Sequence, residues 1–331
     1  MLRRTRRTLW IVFAVLFVLA AAIFLRFKAP PEAARLLPES DGIFYLNLRP
    51  LRGVLQKNLK PVMRAPEYQA FIDGTGIDPE RDIEEAAIAL HRMSNPRGPN
   101  GPVAYSMVLV GKLDGKRLAA YFEAHGSGRE NYAGHTIYSL PSEGRTVRIA
   151  QIGYDTVVIS NTPSTEQIHS MLDRHRSAAL PFSGSTLLAE HYSEMPLLSI
   201  AWGMGQIGLP FTESGAIHIF GMALPLEPDT TFLASVHWAG ALKLRVVEIA
   251  PAEGTAISQA ANMNMLLVLA RGATAGLNES AANKDLKELL RTAEISQQRN
   301  RVTANASLPV SFLVELLNDS DAAPGNGGLS K

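Results

Sequence analysis

From Leu9 to Leu25 the chain carries 17 consecutive apolar residues with no polar face. Such a run suits a lipid bilayer better than a globular core. Extended to Phe27, a helix there would reach about 28 Å at a rise of roughly 1.5 Å per residue. That just spans a hydrocarbon layer about 30 Å thick. Arg26 and Lys28 can reach the headgroups by snorkelling, and Trp10 sits where an interfacial aromatic belongs. Arg3, Arg4, Arg6 and Arg7 precede the run, so the positive-inside rule places residues 1–8 in the cytoplasm and the rest outside. The expectation is a single-pass signal-anchor over residues 9–27 in the inner (cytoplasmic) membrane. The rival is a cleaved signal peptide using Ala20-Ala21-Ala22, but the apolar run continues through Ile23, Phe24 and Leu25. Ala29-Pro30-Pro31 then ends the helix, and residues 28–35 form a stalk.

The anchor also explains the charge. The whole chain is +1, yet residues 1–28 hold six basic residues and no acid, leaving 26 basic against 31 acidic in the remainder. A mildly acidic body lacks the clustered positive charge that nucleic-acid binding needs, so no nucleic-acid partner is expected. With no cysteine, disulfides, thiol nucleophiles and thiolate metal sites are excluded. With 46% apolar residues, the body can hold a core without staples.

The pattern along the body predicts an α+β fold, mostly antiparallel sheets with packed helices. Strands are expected near residues 43–48, 86–93, 103–113, 135–140, 146–152 and 156–160, and again at 197–202, 216–222, 231–238, 241–249 and 301–307. Residues 66–73, 115–125, 164–175, 255–271, 284–292 and 309–318 read as helices. Asp114 is placed to cap the second of these, and Thr162-Pro163 to open the third. Residues 94–102 are dense in turn formers, and 319–331 form a polar tail expected to be disordered. The segments 156–173 and 302–318 both run strand, proline, helix. Either the chain is a degenerate repeat with halves 36–178 and 186–318, or a common unit occurs twice.

Reaction motifs are absent. Gly203-Met-Gly-Gln-Ile-Gly208 matches the dinucleotide fingerprint, but Leu209-Pro210 follows where a phosphate-binding helix should start. The glycines read as a strand end. No Gly-x-Ser-x-Gly elbow, phosphate loop or His-Glu-x-x-His helix occurs. His169 and Asp173 share a helical face and could chelate, yet two ligands are too few and Arg176 would repel a cation. His125 and His175 sit near helix C-termini, where the dipole suits an imidazole. His191 and Glu194 lie in a loop-like stretch. Asp78, Glu80, Asp82, Glu84 and Glu85 read as a solvated run entering a strand. Met204, Met222, Met263 and Met265 read as core filling. The helix carrying Met263, Leu266, Leu267 and Ala270 packs on a sheet, or lines a lipid-sized pocket.

Leu36-Leu-Pro-Glu-Ser-Asp-Gly-Ile-Phe-Tyr-Leu-Asn-Leu48, and residues 144–176 with Ser160-Asn-Thr-Pro163, resemble an uncharacterised bacterial membrane-anchored family of the domain-of-unknown-function kind. The resemblance implies an anchor with an outer domain and brings no catalytic residue. The expectation is therefore an extracytoplasmic binding or interaction protein of the bacterial envelope, held by residues 9–27, with an envelope protein as partner. No catalytic, cofactor or metal residue is assigned. The alternatives are an envelope hydrolase with a motif-free site, or a lipid- or apolar-ligand-binding module. A cavity beside residues 263–267 would favour the last, and convergent Ser, His and acidic side chains the hydrolase.

Overall fold

The computed structural model describes residues 29–52, 66–142, 144–177, 184–206, 216–219, 222–225, 229–239, 241–276 and 280–309, together with Phe13, residues 16–19 and Ser311. Most of the expected span 9–27, the last expected helix and the tail 319–331 lie outside that set. Among the described residues no helix is long and apolar enough to cross a membrane.

The alternation read at residues 231–249 gives a hairpin of β11 (Thr231–Trp238) and β12 (Leu242–Ile249), paired in register from Thr231 opposite Ile249 to Trp238 opposite Leu242. The same period builds a 12-stranded sheet among the described residues. Its centre is an antiparallel pair between β1 (Gly42–Asn47) and β8 (Ser199–Gln206), with Tyr45 opposite Trp202. On one side β1 is followed by β2 (Ile83–Arg92) and β3 (Val103–Gly111). Beyond them lie β7 (Thr156–Ser160), β6 (Arg145–Ile152), β5 (His135–Ser142) and β4 (Gly128–Tyr132). On the other side β8 is followed by β11, β12, β14 (Arg301–Ser307) and β13 (Glu294–Gln298). A separate hairpin joins β9 (Ala216–Ile219) and β10 (Met222–Pro225).

Each half runs outward as a three-strand meander and then turns into helix. Its last strand, β7 or β14, slots in beside the third strand, β3 or β12. The helix is α4 (Gly115–His125) in the first half. In the second it is the pair α7 (Glu253–Ala275) and α8 (Ala281–Thr292). Asp114 caps α4 as expected, its carboxylate accepting from the Lys116 and Arg117 amides. The helix after Pro163, α5 (Glu166–Arg176), starts later than the sequence suggests. Arg148 donates to the carbonyls of Thr162, Pro163 and Ser164 and holds that stretch out of the helix.

The front of the sheet buries one continuous core across both halves. Ile43, Tyr45, Val108, Val158, Trp202, Met204, Leu233 and Val247 lie under α1 (Glu32–Arg35), α5 and α6 (Thr186–His191). Tyr45 stacks on Trp202 at 5.3 Å between ring centroids, and Tyr192 meets the same indole edge-on. The back is covered in two separate places. In the first half α4 sets Leu118 and Phe122 against Tyr138, Ile149, Val157 and Ile159, with Phe71 of α2 (Pro66–Thr75) beside Tyr121. In the second half α7 and α8 lie over β12, β14 and β13.

The acidic run is structured rather than a loop. A short turn of helix, α3 (Pro79–Asp82), is capped by Asp78, and Asp82 is buried against Arg81. The Arg81 guanidinium holds the Asp82 carboxyl below its usual range. Glu84 pairs with Arg49, and Glu85 accepts from the Tyr45 hydroxyl. Strands β4 and β13, both short and polar, carry no apolar alternation and were not expected.

Candidate apolar binding site

The wall of the site is set by small residues. On the back of the sheet β8 places Gly203 and Gly205, β11 Ala234, and β14 Ala304 and Ala306. Opposite, α7 presents Met263, Leu266, Leu267 and Ala270, and α8 presents Leu289 and Leu290. Side chains this short do not fill the space between sheet and helices, and a cavity of about 530 Å³ results. Phe232, Leu244, Val246 and Ile295 close its apolar lining, and among the described residues Gln206 and Asn305 are its polar members. Gly203 is not a phosphate-loop residue. It lies inside β8, and a Cβ there would come within 2.7 Å of the Phe44 ring. The glycine seats Phe44, which borders both this cavity and a neighbouring groove of about 380 Å³ along β2, β1, β8 and β11. Gly208 lies outside the described residues.

The helical roof is pinned at one point. Arg271 of α7 donates to the carbonyls of Leu290, Arg291 and Ala293 at the end of α8, at 2.9, 3.4 and 2.7 Å. One side chain thus satisfies the unbonded end of one helix and fixes it to the other. The outer face of α7 is apolar as well. Ile257, Met265, Val268 and Leu269 are all exposed, Met265 by 57%. Met265 is therefore not core. It stands two residues from Met263, which turns it to the opposite side of the helix. Met204 is core, and Met263 is half-buried at the cavity.

Next to the cavity, Glu248 is 1% exposed, and neither carboxyl oxygen has a hydrogen-bond partner. Burial pushes its carboxyl up to about 7. The alternation Leu244, Val246, Glu248 could have shown an acid on an inward face.

The other residues singled out by sequence have structural roles. His169 stacks on Tyr132 at 3.7 Å and bonds Glu130 at 2.9 Å, while Tyr132 donates to Asp173 at 2.8 Å. The pair docks β4 onto α5 rather than facing a shared point. No cluster of three metal-ligating side chains occurs among the described residues. His125 bonds the Tyr121 carbonyl and stacks on that ring. His175 lies edge-on to His135. Glu194 pairs with Arg301 at 2.7 Å, and His191 lies 3.9 Å from Glu190. One serine–histidine contact exists, His91 Nε2 to Ser106 Oγ at 2.9 Å, continued through Ser160 to Thr162. All four side chains are buried and none lines a described cavity. Burial holds His91 below the usual imidazole range.

No family model matches the chain, and no curated protein matches it. Among solved structures, crystal form I of TP0453 is similar at 11% identity and a TM-score of 0.47, covering 88% of this chain and 98% of that one. Form III is similar at 12% identity and a TM-score of 0.45, covering 88% and 99%.

Proposed function

We propose that this chain is a non-enzymatic binding protein of the bacterial envelope that takes up an apolar, lipid-like ligand between its sheet and helices α7 and α8. The cavity carries the reading. At about 530 Å³ it falls within the roughly 300–1,000 Å³ of small-molecule sites, and its lining is apolar with two polar residues. A ligand there gains about 25 cal/mol for each Å² of apolar surface withdrawn from water. The hydrolase alternative finds no support in the serine–histidine contact, because its side chains are buried and line none of the cavities described above. The exposed apolar face of α7 favours a second reading, an envelope protein partner docked there.

The anchor through residues 9–27, the extracytoplasmic placement and the likeness to an uncharacterised membrane-anchored family complete the proposal on sequence grounds. The recurring meander, helix and last strand beside the third support their origin as a degenerate repeat. Active cytoplasm-only reporters fused near residue 40 would overturn the orientation. The binding test is photo-crosslinking of the full chain in lipid nanodiscs with a diazirine-bearing alkyl probe. Adducts are expected on residues 263–267 and 289–290. Adducts confined to residues 9–27 would remove the basis of the reading.

A further inference from the structure

One residue pair beyond the cavity wall, under the first turns of α7, two polar side chains are sealed from solvent with no bonding partner. One is Glu248, both of whose oxygens are unbonded. The other is Thr230, 0% exposed, whose hydroxyl is also unbonded. Strand parity sets their direction. Val247 belongs to the front core, whereas Leu244 and Val246 line the cavity, so Glu248 shares the cavity face. Thr231 lies opposite Ile249, which puts Thr230 opposite Ala250 and diagonal to Glu248 on that face. Phe232, directly opposite Glu248, is itself cavity lining. Met263 lines the cavity and also packs on the cluster of Ala250, Ala256, Ala260 and Val302, of which Val302 lies opposite Glu248. It thus touches both the cavity and the cluster holding the strand partner of Glu248, and its unbranched thioether chain turns aside readily.

We propose that the ligand is a single-chain amphiphile with an uncharged hydroxyl head, its chain in the cavity and its head bonded to Glu248 and Thr230 past Met263. This rests on the cavity being an apolar-ligand site. The surroundings select a neutral head. Among the described residues, the strand neighbours of Glu248 on this face are Thr230, Phe232 and Val302, and the buried side chains of the first turns of α7 are Ala256, Gln259 and Ala260; none of these is ionisable. With its carboxyl raised to about 7, Glu248 is largely an acid in mildly acidic medium, able both to donate and to accept, as a hydroxyl requires. An ammonium head would instead bury an ion pair, whose desolvation offsets the attraction.

The test is competition against the alkyl photoprobe on the full chain in nanodiscs at pH 6, with competitor expressed per mole of lipid. Hexadecanol is expected to suppress adducts on residues 263–267 at about a tenfold lower ratio than hexadecane. Glu248→Gln, which keeps a donor and an acceptor, should retain that advantage. Glu248→Leu should lose it while hexadecane still competes. Equal potency of alcohol and alkane, an advantage that survives Glu248→Leu, or strongest competition by hexadecylamine would each overturn the head assignment and leave the cavity reading standing. Absence of any adduct on α7 and α8 would overturn both.

Discussion

In both halves a three-strand meander leads into helix and the last strand returns beside the third, yet the back faces are finished differently. Under α4 the sheet offers Tyr138, Leu140, Ile149, Val157 and Ile159, and the helix answers with Leu118 and Phe122. Large side chains meet large side chains, and the layer closes. Under α7 and α8 the sheet sets Gly203, Gly205, Ala234, Ala304 and Ala306 among Phe232, Leu244, Val246 and Ile295, and the helices stand over space. Side-chain volume on the two back faces is thus one difference that decides which of them closes. One back face is packed shut, and the other leaves a cavity of about 530 Å³.

That contrast can be broken most severely from the filled side. Phe122→Ala should lower stability by about 3–5 kcal/mol in chemical denaturation, with photoprobe labelling of α7 unchanged. If labelling fell as well, the halves would not be separable in function. Next, Ala304→Phe should give the second half a large residue at its wall and cut probe labelling about a hundredfold, while stability moves by less than about 1.5 kcal/mol. A large residue accommodated with full labelling would mean that the guest sits elsewhere.

The third concerns Glu248, an acid that the second half buries without a bonding partner. Glu248 has its carboxyl raised from 4.5 to about 7. Between those values the folded chain keeps a proton that the unfolded chain has released, so stability falls as pH rises through the window. Glu248→Gln should remove the loss, adding about 3 kcal/mol at pH 8 and nothing near pH 4. Equal effects at both pH values would show that ionisation is not involved. The smallest effect is expected at Met265→Lys on the outer face of α7, within about 0.5 kcal/mol. A larger loss would place that face in a contact.

Much of this was legible because it is local. The β11–β12 hairpin follows from alternation, the Asp114 cap from residue type, and the cavity side of α7 from the spacing of Met263, Leu266, Leu267 and Ala270. Other features depend on distant partners. The β1·β8 pairing joins segments with no mutual signal in sequence, and β4 and β13 are strands because a neighbour hydrogen-bonds to them. Gly203 was read as a flexible strand end, since the Phe44 ring it accommodates lies 159 positions earlier in the chain. Glu248 was passed over because an acid inside an apolar alternation is ordinarily a surface residue, and its burial depends on the helix laid over it.

The central β1·β8 pair also sets a timetable. Tyr45 and its partner Trp202 are 157 residues apart. At roughly 5–20 residues per second of synthesis, β1 leaves the ribosome on the order of ten seconds or more before β8 can pair with it. For that interval the first half carries a completed meander with an open backbone edge at what will become the middle of the sheet, beside Phe44 and Trp202's vacant place against Tyr45. An edge of that kind pairs with any extended chain nearby. A nascent chain stalled before residue 199 is thus expected to be sticky, and the second half acts on the first as a cap whose late arrival ends the exposure.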